Sequence, residues 1–434
     1  MKRLLIILLV TGCVGMPAAV TLDQAVRDGL ALDVAVNNGE IDMESARKRL
    51  RLARSRFLPD LDAGGSWRYQ SQRMNLVIDP VIQGGQMVFP GLERTIGTLH
   101  NWDLNLGVTQ PLYTGGILSR RRDQAKVRIR EESQRLRAAR VSRSLEIRAA
   151  YYTHAMLLER RDSALRLAGR LKIHLRRLEA LAAEELARRS DVLETRSRLV
   201  ETRLTLEEME QAVDEAANRF HELCGHAVDQ VTASKRLRNF SRREAEDFFR
   251  SRHPQLAVMD HQAQWLQLEE AVAAGRHRPS LAGHASFHLG RPGIDMFSAE
   301  WMGYASVGIT FSMPVFHWRR GREEKGLVRA EARKLDNRRR DLLRVIGYQL
   351  DRVYRRLEMR ERLVTELEEL VALTREDGRI KGDLVREKQI ANLDYLAVLT
   401  DCERAESRLA AARCDLTLTQ LAVHRAIGYM EEEE

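Results

Sequence analysis

Two hydrophobic periods alternate along this chain, and they predict two kinds of element. From Thr21 to Phe57 the apolar positions Leu22, Val26, Leu30, Val34, Ile41, Ala46, Leu50, Ala53 and Phe57 recur at three- and four-residue spacing, which predicts helix. Ile117 to about Ala187 contains no proline and reads as one very long helix, followed by a second from about Asp191 to Leu223. Matching helices are predicted from Arg322 to about Glu387 and from Leu393 to Ile427. Between the helices the period falls to two. Leu61, Ala63, Gly65, Trp67 and Tyr69 alternate with polar or small residues, as do Trp102, Leu104, Leu106 and Val108. The same alternation returns at Leu281, Ala285, Phe287 and Leu289, and again at Ala305, Val307, Ile309, Phe311 and Met313. These are four predicted strands in two hairpins, each strand of about the length that crosses a bilayer when tilted.

The landmarks repeat at fixed offsets. Thr21-Leu22-Asp23-Gln24 and Ser241-Arg242-Arg243-Glu244 both have capping-box form, at an offset of 220. Pro59-Asp60-Leu61 and Pro279-Ser280-Leu281 keep that offset. Beyond them the offset is 203, which pairs Gln110-Pro111-Leu112-Tyr113 with Met313-Pro314-Val315-Phe316, Asp191 with Asp394, and Gly225 with Gly428. The expected organisation is a tandem duplication. Its first copy is 21–227, with a β-hairpin over 61–112 and a helical hairpin over 117–225. A linker over 228–240 precedes the second copy, 241–430, with a hairpin over 281–315 and helices over 322–428. The drop in offset from 220 to 203 falls in the loop between about Ser71 and Asn101, which is longer than its counterpart in the second copy.

Composition narrows the reading. Of 434 residues, 9 are Pro and 27 Gly, which excludes collagen-like and proline-rich architectures and suits long unbroken elements. No apolar run approaches the length of a membrane-spanning helix. The net charge of +9, from 71 basic and 62 acidic residues, is spread along the chain and gives little argument for a nucleic-acid partner. Met1-Lys2-Arg3, the apolar Leu4 to Val10 and the small residues through Ala19 have the order of a secretory signal peptide over 1–19. Val10-Thr11-Gly12-Cys13 also looks like a lipobox, which makes Cys13 a candidate lipidation site. Geometry opposes it: the stretch from Val14 to Val20 extends at most about 25 Å, short of the roughly 55 Å spanned by a helix running from Thr21 to the strands. The other cysteines, Cys224, Cys402 and Cys414, lack metal or redox spacing and read as buried small hydrophobes.

A family resemblance is carried by Phe57-Leu58-Pro59-Asp60-Leu61, the corner Gln110-Pro111-Leu112-Tyr113-Thr114-Gly115-Gly116, Ser190-Asp191-Val192-Leu193, and their second-copy counterparts through Asn392-Leu393-Asp394-Tyr395-Leu396. In their order and spacing the chain resembles the TolC-like outer-membrane efflux proteins from Thr21 to Gly428. The resemblance implies an α+β membrane protein, with duplicated long helical hairpins forming a periplasmic tube. It also implies a homotrimer whose four strands per chain make a shared 12-stranded barrel in the outer membrane of a Gram-negative bacterium. The implied function is the outer-membrane channel of a tripartite efflux pump or type I secretion system, with a periplasmic adaptor and an inner-membrane transporter as partners and outer-membrane lipid around the barrel. The family usually carries Gly six positions before the tip Asp, where this chain has Glu185 and Lys388. Its second corner, Phe316 to Gly321, lacks the double Gly of the first.

No nucleotide, zinc-protease or nucleophile-elbow motif occurs, so no enzyme activity and no cofactor or metal are expected. His284 and His288 share the polar side of one strand, where solvated lumen residues compete with a role as transport ligands. The candidate functional residues are at the two helix-to-helix ends. Glu185, Arg188, Arg189 and Asp191 belong to one end, and Lys388, Asn392 and Asp394 to the other; they are read as a gate and as adaptor contacts. Charged groups gathered about a symmetry axis can close a ring through ion pairs. The competing reading for Asp191 and Asp394 is the favourable interaction of a carboxylate with a helix start. The alternative function is a secreted or soluble coiled-coil scaffold, against which the signal peptide and the duplicated amphipathic strands argue.

Overall fold

The computed structural model describes residues 20–84, 86–232, 237–316, 318–387 and 389–430. The signal peptide and Cys13 lie outside the described residues, as do His317 and Lys388. The elements run β1 (Val20–Thr21), α1 (Leu22–Leu32), α2 (Val34–Ser55), β2 (Asp60–Tyr69), β3 (Met74–Ile78), β4 (Val81–Gln83), β5 (Gln86–Phe89), β6 (Leu92–Ile96), β7 (His100–Thr114), α3 (Ile117–Ala183), α4 (Arg189–Cys224), β8 (Val231–Thr232), α5 (Arg242–Arg252), α6 (Pro254–Gly275), β9 (Ser280–Arg291), β10 (Met302–Ser312), α7 (Arg320–Arg386) and α8 (Asn392–Ile427). The element lengths repeat: α1 and α5 have 11 residues, α2 and α6 22, α3 and α7 67, α4 and α8 36.

Two differences from the sequence reading have local causes. The stretch read as one helix from Thr21 is broken at Asp33, whose backbone is extended and whose Oδ1 accepts the Val36 N–H at 2.9 Å. A carboxylate that caps the next helix outweighs the apolar period across it. In the second copy His253 takes this place, its Nδ1 accepting the Gln255 N–H at 3.3 Å, with Pro254 at the first helical position where its missing N–H is harmless. The segment read as a loop also holds strands: β3 pairs with β6 and β4 with β5, as two two-stranded sheets.

The chain divides into two compact units, each drawing on both halves of the sequence. One comprises Met43–Glu132 and Met259–Asn337. Its centre is a four-stranded antiparallel sheet in the order β10-β9-β7-β2. Register sets its two faces. Asn105 lies opposite Gly64 on one side and His288 on the other, and His288 lies opposite Tyr304. With Asp62, Ser66, Asp103, Ser286, Ser306 and Thr310 this side is polar. The reverse side carries Leu61, Trp67, Trp102, Leu104, Leu106, Phe287, Val307, Ile309 and Phe311, all exposed, with Val307 at 85%. Strands β2 and β10 are the edges, each paired on one side only. At the strand-to-helix corners Gly115 and Gly116 are left-handed, at φ 64° and 83°. A Cβ on Gly115 would lie 2.4 Å from the Gly275 carbonyl oxygen, so glycine is required there. Their counterparts at offset 203, Trp318 and Arg319, adopt left-handed φ of 35° and 64° despite their side chains.

The other unit runs through Asp42, Ser133–Val258 and from Arg338 on. Its helices form a layer in the order α4-α3-α8-α7. Leu199 of α4 packs with Leu171 and Leu175 of α3, and Leu396 and Leu399 of α8 join that cluster. Leu367 and Val371 of α7 pack on Ala405, Leu409 and Ala412 of α8. The short helices complete it: Leu22 and Val26 of α1 are fully buried with Ile147, Phe220 and Leu223, while Phe249 of α5 is buried with Ile346, Leu350 and Ile427. Each long hairpin ends on a left-handed glycine, Gly225 at φ 75° and Gly428 at φ 70°, which closes α4 and α8 without a Cβ clash. The capping box is complete only at α5, where Ser241 and Glu244 exchange both bonds; at α1 Thr21 accepts from the Gln24 N–H, and the Gln24 side chain turns to Asp28.

Candidate functional site at the two helix-to-helix turns

The turn between α3 and α4 is built by hydrogen bonds that stop the long helix. Leu186 N–H donates to the Leu181 carbonyl at 2.8 Å and Glu185 N–H to that of Ala182 at 3.1 Å. This pair is the Schellman arrangement, and it places Glu185 in the left-handed region at φ 61°. The position that glycine would serve best is thus held by a residue for which that backbone costs about 1 kcal/mol. In the second turn Gln389 N–H donates to the Leu384 carbonyl at 2.9 Å, the same bond at offset 203; Lys388 itself lies outside the described residues.

Arg188 precedes α4 with an extended backbone and no side-chain cap, and its carbonyl accepts the Asp191 N–H at 3.1 Å. Arg188 and Arg189 are exposed. Asp191 and Asp394 both sit in the first turn of their helices, where the exposed N–H groups favour a carboxylate. Asp394 is exposed and Asp191 half-buried.

Asn392 behaves differently from the other candidates. It is buried, and its side chain ties the second turn to the first hairpin. Its Oδ1 lies 2.7 Å from His174 Nε2, and its Nδ2 faces the Asp191 carbonyl at 3.3 Å, Thr195 Oγ1 at 3.3 Å and Glu194 Oε2 at 3.4 Å. With every Nδ2 neighbour an acceptor, Oδ1 accepts, so His174 carries its proton on Nε2. Burial lowers the His174 pKa, although the Asn392 bond opposes this, so the ring is neutral in neutral solution. Tyr395 packs edge-on against His174 at 4.8 Å, and burial raises its phenol pKa. Arg177 Nη2 donates to the Arg386 carbonyl at 2.9 Å and fastens the end of α7.

Further along the layer Glu406 of α8 gathers three donors: Ser163 Oγ at 2.9 Å, Arg166 Nη2 at 2.7 Å and Arg375 Nε at 2.7 Å. Burial works against its charge, yet these hydrogen bonds hold its carboxyl down to about 2. His174, Thr195, Tyr395 and Glu406 were not legible as functional positions. The available signal was a polar residue at a core-facing spacing, as in Leu167-Leu171-His174-Leu178.

Within the sheet His288 is held by Asp103 at 3.2 Å and Ser286 at 3.1 Å and stacks on Tyr304, while His284 lies 3.4 Å from Thr310. These contacts spread the two histidines among different partners. Among the described residues no group of three or more His, Cys, Asp or Glu side chains could hold a metal ion.

Residues 26–226 match the family described as outer membrane efflux protein. No curated protein matches the chain in sequence. Solved structures share the fold across nearly the whole chain. The outer membrane protein VceC of Vibrio cholerae is 15% identical with a TM-score of 0.72, covering 94% of this chain and 96% of its own. The CmeC outer membrane channel of Campylobacter jejuni is 14% identical with a TM-score of 0.72, covering 95% and 87%. The MtrE outer membrane channel of Neisseria gonorrhoeae, solved in its open state, is 15% identical with a TM-score of 0.72, covering 95% and 89%. The family match covers the first part of the chain, and the solved structures extend the shared TolC-like fold over nearly all of it. The matched family and the shared fold support an outer-membrane channel for efflux, and that family and the structural neighbours are channel proteins, not enzymes.

Proposed function

We propose that three copies of this chain close a 12-stranded barrel and that the channel completes a tripartite efflux pump or a type I secretion system, receiving cargo from a periplasmic adaptor and an inner-membrane transporter. The observation that carries this reading is the sheet. It has one apolar exposed face, one polar face and two strands with an unpaired edge. Hydrocarbon does not tolerate unpaired backbone groups, so such a sheet must be closed by further strands. Its apolar side then faces lipid and its polar side, with Asp103, Asn105 and His288, faces water.

The helix-to-helix turns supply the contacts to the partner. Glu185, Arg188, Arg189 and Asp394 are exposed there and are the residues we assign to adaptor contact, with Lys388 kept as a candidate from sequence. Asp191 and Asp394 contribute to the closed state through charge-assisted contacts about the axis. Asn392 supports the same state from inside, as a buried tie between hairpins and not as a contact surface. For the chain's start, residues 1–19 are assigned to a signal peptide, with lipidation at Cys13 and plain cleavage near Ala19 separated by the mass of the mature N-terminus. The test of function is reconstitution into planar bilayers together with fractionation. Discrete conductance from protein recovered with the outer membrane is expected, and a soluble, non-conducting protein would overturn the proposal.

A further inference from the structure

The four-helix layer ends on two helices that carry complementary surfaces. Within the chain, α3 of the first hairpin packs against α8 of the second. The hairpins are matched element for element in length, and their landmarks keep the offset of 203. If one copy follows another as the second hairpin follows the first, the same contact recurs between α7 of one copy and α4 of the next. Each partner is then read off by moving up by that offset on the α3 side and down by it on the α8 side.

We infer that the α7 face bearing Leu363, Glu366 and Glu369 is a subunit interface, and that its occupant is the α4 face bearing Arg203 and Leu204 of a second copy of this chain. The inference rests on the closed-assembly reading above and adds the residues that join the copies.

The charges carry it. Within the chain, Glu406 of α8 is held by Ser163 and Arg166 of α3 and by Arg375 of α7. At the offset positions Ser163 becomes Glu366, Arg166 becomes Glu369, Glu406 becomes Arg203 and Arg375 becomes Lys172. One acid held by two arginines is replaced by two acids facing two bases. Arg166 to Glu369 and Glu406 to Arg203 reverse sign together while Arg375 to Lys172 stays basic, so acids still face bases. A solvated surface has no reason to change both sides together. Arg203, Lys172, Glu366 and Glu369 are exposed, and among the described residues none of the four has an ion-pair partner in its own chain.

Apolar positions follow the same rule. Arg160 Nε donates to Ser407 Oγ at 3.0 Å within the chain. The shifted pair is Leu363 and Leu204, two leucines in place of a hydrogen bond, and Leu204 is 56% exposed. Leu167 and Leu396, which share one buried cluster, become Leu370 and Leu193, both exposed. Covering such leucines contributes through removal of apolar surface from water, while the charges fix which faces meet.

The test uses the full chain in mild detergent. Wild type must first be a trimer by mass; if it is not, the closed-assembly reading fails. Given a wild-type trimer, Arg203→Glu is expected to raise the monomer fraction by roughly tenfold or more, because three acids then face one another at every contact. Glu366→Arg with Glu369→Arg should do the same, and all three changes together should restore the trimer. In an otherwise unaltered chain, Leu204→Cys with Leu363→Cys should form trimer-sized disulfide-linked bands on oxidation, and neither single change should. The native Cys224, Cys402 and Cys414 are buried and do not compete. A wild-type trimer that the charge reversals leave intact, with no cross-link in the double cysteine variant, would overturn the interface while leaving the trimer standing.

Discussion

The side chain of Asn392 at the start of α8 is joined to His174 of α3 by a 2.7 Å hydrogen bond buried between the two helical hairpins. The same amide reaches the Asp191 carbonyl and Thr195, so one residue of the second turn is satisfied entirely by the first hairpin. Removing it leaves His174 Nε2–H without its partner in a dry place, while Thr195 keeps its own bond to the Asp191 carbonyl at 2.8 Å. Asn392→Ala is expected to destabilise the folded chain by about 1–3 kcal/mol. If this tie helps hold the channel shut, the variant also conducts more than wild type. Thermal unfolding in detergent and bilayer conductance check the two halves separately.

Acid should loosen the helical unit, and the sign follows from histidines that fold into dry surroundings. Burial lowers His174 and His424, and burial takes His253 from 6.5 to about 4, so the folded chain binds fewer protons than the unfolded one below pH 6.5. Stability is therefore complete above pH 6.5 and falls as the pH drops towards 4. Glu406, held at about 2 against an ordinary 4.5, adds a second loss between those values. Tm measured from about pH 8 to about pH 3 should fall through both windows, and Glu406→Gln should make the lower one smaller.

Among the described residues, three left-handed residues with side chains mark places where the backbone is strained. Glu185→Gly and Arg319→Gly are each expected to raise stability by about 1 kcal/mol, since glycine takes positive φ without a Cβ clash. The reverse holds at the first corner, where Gly115→Ala would place a methyl against the Gly275 carbonyl and lower Tm. Urea unfolding of the four proteins, wild type included, orders them.

Most of the fold was legible because periods of 3.6 and 2 survive weak sequence similarity. Helix ends fell within a few residues of those observed for α3, α4, α7 and α8. The break at Asp33 was hidden because an apolar stripe continues across it, and only the capping geometry of Asp33 reveals the stop. The β3–β6 ribbon was hidden because Pro80, Gly84 and Gly91 outweigh short apolar runs in any local reading. At the helix turns Asn392 was legible as a polar residue in the right place. Its burial was not, because that depends on His174 and Thr195, which are far from it along the chain.

The aspartates at the turns separate two roles. Asp191→Ala with Asp394→Ala should raise conductance of the reconstituted protein if their carboxylates help close the channel. If they act only on their own helix starts, conductance stays at the wild-type level and stability falls by about 0.3–1 kcal/mol per site. Single-channel recording alongside Tm distinguishes the outcomes.

The central claim is that β2 and β10 are edges only in the isolated chain. Native mass spectrometry of the protein extracted from outer membranes in mild detergent tests it most directly. Three times the mass of the mature chain is the expected result, persisting until the β-sheet signal is lost. A monomer with its β-sheet signal intact would contradict the claim.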